Sequence, residues 1–172
     1  NDTTERLTDG RILRVLVFTD PKTGLEVTCT ATEFTDFPTC EWTLAFNNTG
    51  TADTPILENI QAADLSITRP QEPEFLLHYS CGADSTPSDY APLETVLEKG
   101  SKRAFAPIGG RPTNGAWPYY NVQWGDRGAI LAVGWGGQWA TEFIRDEERS
   151  LRFLAGQQLT HFKLHPGEQA HA

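Results

Sequence analysis

The stretch LEVTCTATEF, residues 25–34, places apolar and polar side chains alternately. Leu25, Val27, Cys29 and Ala31 share one parity, and Glu26, Thr28, Thr30 and Thr32 share the other. Successive side chains of a strand point to opposite faces, so this period of two describes a strand with one face buried and one face wet. TCEWTLAF repeats it, with Cys40, Trp42, Leu44 and Phe46 set against Glu41, Thr43 and Ala45. Threonine on the wet face suits a pleated surface. RILRVLVFT, AILAVGW, SLRFLAG and LTHFKLH are further strand-sized apolar runs, and QWATEF either continues AILAVGW or pairs with it. Turn signals separate them: DPKTG, NNTGT, EKGS, GDRG and HPG. The spacing predicts roughly ten to thirteen strands, no long helix and no internal repeat. The expected fold is all-β, a large antiparallel β-sandwich of two stacked sheets, formed by residues 1–172 as a single domain.

Charge narrows the partners. Fourteen basic and 23 acidic residues give a formal net charge of −9. Phosphates repel such a chain, which argues against nucleic acid, and an anionic membrane surface would do the same. A neutral ligand such as a sugar is compatible with it. No apolar run approaches the ~18 residues of a membrane-spanning helix. The polar start NDTTERLTDG lacks a signal-peptide pattern, and the sequence contains no methionine. Both fit a processed or excised piece, with a secreted or periplasmic location expected ahead of a cytoplasmic one. Asn1 and Asn47 each head a glycosylation triplet.

Cys29, Cys40 and Cys81 are an odd number of thiols with no metal-binding spacing. Cys29 and Cys40 sit on apolar faces of their strands and read as buried thiols. A disulfide between them stays open if the strands are neighbours.

Two segments break the alternation. GADSTPSDYAP, residues 82–92, is a polar, proline-containing loop. APIGGRPTNGAWPYY, residues 106–120, mixes glycine, proline and aromatic residues and is the main functional suspect, because loops on a rigid scaffold carry most binding sites. With the NVQW that follows, it brings Arg111, Asn114, Trp117, Tyr119, Tyr120, Asn121 and Trp124 within fourteen positions. Aromatic faces accept the C–H face of a pyranose, and planar amide or guanidinium groups make paired hydrogen bonds to neighbouring hydroxyls. The alternative is a loop whose aromatics fold back to plug the sandwich edge. In GWGGQW, residues 134–139, Trp135 continues the parity of Leu131 and Val133 and is expected in the core. Gly136 and Gly137 invite a bulge that would turn Gln138 or Trp139 outward, to support the loop or meet a partner.

Catalytic signals are poor. His161 and His165 share a strand face without a third ligand, so no metal site and no cofactor are expected. GxSxG, HExxH and phosphate-cradling patterns are absent from the sequence. Glycoside hydrolysis needs two carboxylates flanking a sugar, and no pair stands out. Asp146, Glu147 and Glu148 in IRDEERS read as a solvated hairpin tip interleaved with arginines.

In order along the chain, DPKTGLEVTC, FPTCEWTLAFNNTGTADTPILENIQAADL, GGRPTNGAWPYYNVQW, GWGGQW and LHPGE resemble the N-terminal domain of glycoside hydrolase family 36 α-galactosidase-like enzymes. The resemblance runs from Arg11 to Gly167. It departs at Ala116-Trp117-Pro118-Tyr119, where an Asn-Pro-Phe-like sequence is usual, and at Gly136, where serine is common. It implies a β-sandwich that packs on a downstream (β/α)8 barrel bearing the catalytic aspartates, so no catalytic residue is expected here. It also implies an α-galactoside-type glycan as the carbohydrate partner. Arg111, Asn114, Trp117, Tyr119, Tyr120, Gln138 and Trp139 would then contact that sugar or the barrel. An independent carbohydrate-binding module and a purely structural domain are the other two readings.

Overall fold

The computed structural model describes residues 2–7, 9–70 and 73–172. It contains fifteen strands and, among the described residues, no helix. All strand pairings are antiparallel, and the chain divides into two compact units.

The first unit comprises Asn1–Ile60 with Thr160–Ala172. Its main sheet is a meander of β1 (Asp2–Arg6), β2 (Arg11–Thr19), β3 (Leu25–Phe34) and β4 (Thr39–Asn48), closed by β15 (Gln169–His171) against β4. A short pair, β5 (Leu57–Glu58) and β14 (His161–Phe162), completes it. The NNTGT turn gains its role from Asn48, which is 1% exposed. Its Nδ2 donates to the Ala52 and Leu164 carbonyls, each at 2.8 Å, and its Oδ1 accepts from Gly50 N at 2.9 Å. Every polar atom of this buried amide is therefore used, as burial requires. Asn47 lies in β4 opposite Glu26 and Gln169; Asn1 is outside the described residues.

Register decides the cysteine question. Cys29 faces Leu44, whereas Cys40 faces Glu33. The two thiols are thus four positions apart along neighbouring strands, about 13 Å, whereas a disulfide needs Cα atoms within about 7 Å. All three cysteines are free. Cys29 is half-buried, but Cys40 is exposed, because the alternation of β4 takes hold only from Trp42 onward.

The second unit, Gln61–Leu159, is a sandwich of two four-stranded sheets. One has the order β11 (Arg127–Ala132), β10 (Tyr119–Trp124), β7 (Leu76–Ser80), β8 (Pro92–Val96). The other has the order β6 (Ala63–Thr68), β13 (Ser150–Gln157), β12 (Trp139–Arg145), β9 (Lys102–Phe105). Phe75, Leu77, Tyr120 and Val122 meet Trp139, Phe143, Leu151 and Phe153 in the core between them. Phe143 is fully buried, with its ring 5.0 Å from both Tyr120 and Phe153. Offset and edge contacts of this kind add to the burial of the rings.

GWGGQW departs from expectation. Strand β11 ends at Ala132, and residues 133–138 cross from one sheet to the other before β12 begins. Parity counted along a strand loses its meaning once the chain leaves the sheet. Trp135 is therefore 40% exposed, and Trp139, the first residue of β12, is fully buried. A Cβ on Gly137 would stand 3.0 Å from Trp135 Nε1, so the glycine lets the indole lie close against the backbone.

IRDEERS is a hairpin tip, as its charges imply, but Arg145 is not solvated: its side chain is 0% exposed. Arg145 Nε donates to Glu74 Oε1 at 2.8 Å and Nη1 to Asp146 Oδ1 at 2.5 Å. Arg69 Nη2 donates to the second Glu74 oxygen at 2.9 Å. Burial pulls the Glu74 carboxyl upward, but the Arg145 hydrogen bond, the Phe75 amide and the two guanidinium charges outweigh it and hold it below its usual value. Both guanidinium carbons sit 5.8 Å from the Phe75 ring centroid.

Candidate functional site

The segment from 106 to 118 is a loop whose one strand-like contact is an isolated antiparallel bridge of Ala116 with Cys81, and it is held in one shape by side chains that cap its backbone. Ile108 N donates to the Asn114 carbonyl at 2.9 Å, and Asn114 Nδ2 returns a bond to Ile108 O at 3.0 Å. Gln138 lies behind the loop, where its Oε1 accepts from Gly110 N at 2.9 Å and its Nε2 donates to Pro107 O and to Gln158 Oε1. The buried Trp139 indole donates to Pro112 O at 2.8 Å. Gly82 fits against the far side, since a Cβ there would stand 2.2 Å from Thr113 O and 2.5 Å from Ala116 N. Ala83 N bonds that same Thr113 carbonyl at 2.7 Å. These anchors leave the loop few alternative shapes, which is the condition for a preorganised surface.

The loop delivers the chain into β10, whose alternation then sorts its residues. Tyr120 and Val122 turn inward, while Tyr119, Asn121 and Gln123 turn outward. The Tyr120 ring is 2% exposed, and its hydroxyl lies 2.9 Å from Thr141 Oγ1. Burial pushes its phenol well above the usual value, only partly offset by that hydrogen bond. Outward, Tyr119 is 50% exposed and stacks on Trp117 at 5.3 Å with 26° between the rings. Tyr90 abuts Trp117 edge-on at 5.0 Å. Tyr90 comes from the 82–92 loop, which closes on Asp89: its carboxylate accepts from the amides of Asp84, Ser85 and Thr86 at 2.9–3.1 Å.

Across the outer face, register sets one row: Ile130, Asn121, His78 and Glu94, each on a different strand. His78 Nε2 lies 3.1 Å from Gln123 Oε1, and its Nδ1 lies 3.6 Å from Glu94 Oε2. This row and the Trp117–Tyr119 pair line a shallow groove of about 500 Å³. Of the residues expected to act together, Trp117 and Tyr119 do share this groove. Tyr120 also borders it, but the residue is 2% exposed and belongs to the core. Arg111 is exposed, with no side-chain hydrogen bond or ion pair among the described residues, and Asn114, Gln138 and Trp139 serve the loop from within. His78, Glu94 and Ile130 were not expected there. The one signal in the sequence is the shared parity of Tyr119, Asn121 and Gln123 in YYNVQW.

Among the described residues, no group of three or more histidine, cysteine, aspartate or glutamate side chains is arranged to hold a metal ion. His161 and His165 go to different carboxylates, Glu58 at 3.1 Å and Asp53 at 2.6 Å. The Asp53 hydrogen bond and charge hold the His165 imidazole above its usual value.

No family model and no curated protein matches the sequence. In fold, however, the chain is an all-β sandwich of the kind found within glycoside hydrolase family 36 α-galactosidases. It superimposes on α-galactosidase AgaA of Geobacillus stearothermophilus in complex with stachyose with a TM-score of 0.79 at 16% identity, covering 97% of this chain and 23% of that one. The galactosidase domain of the α-galactosidase–sucrose kinase AgaSK gives 0.79 at 18% identity, covering 99% and 24%. The α-galactosidase from Lactobacillus brevis gives 0.74 at 15% identity, covering 99% and 23%. The resemblance read from the motifs holds at the level of fold, and the chain spans about a quarter of the length of these enzymes.

Proposed function

We propose that this chain, residues 1–172 taken together, is a non-catalytic accessory domain of an α-galactosidase-like glycoside hydrolase. It packs on a (β/α)8 barrel that carries the catalytic aspartates, and its loop from 106 to 120 stands near the sugar-binding site of that barrel. The observation that supports this most is the shared fold over 97–99% of the chain, against only about a quarter of the matched enzymes. The chemistry of the groove agrees. Glycosidases flank the scissile bond with two carboxylates, roughly 5–9 Å apart according to mechanism. Of the residues lining the groove, only Glu94 is a carboxylate. In this reading Trp117 supplies an aromatic face at the rim, and Arg111, free of internal partners among the described residues, supplies donors to the sugar or to the barrel.

The test is Trp117→Ala in the complete enzyme, assayed on α-galactosides. Loss of a stacked indole costs about 1.5–3 kcal/mol, so KM should rise roughly tenfold or more. Unchanged kinetics would remove the loop from the sugar site.

A further inference from the structure

We infer that the outer face of the β11–β10–β7–β8 sheet is itself a binding site for a neutral saccharide. The inference concerns this chain alone and does not rest on its being part of a hydrolase. Three features of the groove select that chemistry.

The first is a platform. Tyr119 has Trp117 against one face and no other ring within contact among the described residues, and Trp117 is held in turn by the Tyr90 edge. A half-exposed ring fixed from behind offers a flat apolar surface at little entropic cost. The second is a set of planar polar groups beside it. Asn121 and His78 are cross-strand neighbours, and Gln123 and Glu94 orient the His78 ring from either side. Amide, imidazole and carboxylate together present both donors and acceptors, which vicinal hydroxyls need and an apolar ligand does not. The third is charge. No lysine or arginine lines the groove, and the chain carries −9. Phosphorylated and other anionic ligands are therefore disfavoured. Ile130, 80% exposed on the neighbouring strand β11, adds an apolar surface beside Asn121, and Glu94 on β8 stands at the other end of the row. Its volume of about 500 Å³ falls among clefts that hold small ligands.

The experiment follows amide NMR spectra of the 172-residue chain during titration with methyl α-galactoside, maltotriose and cellotriose, with glucose 6-phosphate as the anionic control. At least one neutral sugar is expected to shift the amides of Tyr119–Gln123 and Leu76–Ser80 saturably, and glucose 6-phosphate to shift none of them. Tyr119→Ala should weaken binding about tenfold or more, and Asn121→Ala should weaken it in a second, independent way. Trp135→Ala, which is not among the residues lining the groove, should bind as the parent does. The site is overturned if none of the three neutral sugars gives a saturable shift in β7 and β10. It is equally overturned if a well-dispersed Tyr119→Ala or Asn121→Ala spectrum retains the parent affinity. Failure here leaves the kinetic test of the complete enzyme unaffected, so the two readings fall separately.

Discussion

Strands β10 and β12 belong to facing sheets of the same sandwich, yet they spend their outward residues differently. Along β12 every second residue is buried and those between are half-buried, so both faces are occupied. Along β10 the inward residues Tyr120 and Val122 are buried, while Tyr119, Asn121 and Gln123 stand open to solvent. The inward side chains of both strands are committed to packing. Of the two strands, β10 leaves aromatic and amide groups open to solvent, and those are the groups a ligand can use. The location of a site in a sandwich is therefore a statement about which outer face is left uncovered, not about which segment is richest in suitable residues.

The comparison breaks most visibly at the core. Phe143→Ala removes the ring on which Tyr120 and Phe153 both pack, and should cost about 3–5 kcal/mol in urea denaturation. A cost near zero would mean that the two sheets do not share that core. The next effect comes from the far end of β12. Glu74→Gln takes the charge from a carboxylate that receives buried Arg145 and Arg69, and should cost on the order of 3 kcal/mol near neutral pH. The sign of its pH dependence is fixed. The folded carboxyl titrates below its ordinary value of 4.5, so its contribution is present above that value and is lost as the pH falls through the lower, folded one. Acid titration of stability should thus show a steeper fall below about pH 4.5 in the parent than in Glu74→Gln. Parallel curves would contradict the assignment. The smallest effects separate the two faces of β10. Tyr120→Phe strands the Thr141 hydroxyl in the core and should cost about 1–3 kcal/mol, whereas Asn121→Ala, one residue away on the outer face, should fall within about 0.5 kcal/mol. Equal costs would erase the distinction between the faces.

How far the sequence discloses these regions depends on the range of the interactions involved. Strands β2 and β3 begin and end where the alternation and the DPKTG turn place them, because period and turn chemistry are local. Trp135 and Trp139 exchange their expected places, because the chain leaves one sheet at Val133 and parity carries no information across a connection between sheets. Arg145 reads as solvated within a charged run, and its partner Glu74 is 71 residues away, so only the folded register shows the pair. The site divides in the same way. Trp117 and Tyr119 are visible in an aromatic loop, but His78 and Glu94 reach the groove through strand pairings β10–β7 and β7–β8 that no local pattern encodes.

The measurement that bears most directly on the whole account is hydrolysis of an aryl α-galactoside by two samples, the 172-residue chain alone and the complete product of its gene. The proposed accessory role predicts turnover by the complete product and none by the chain. Turnover by the chain alone, or inactivity of both, would contradict it.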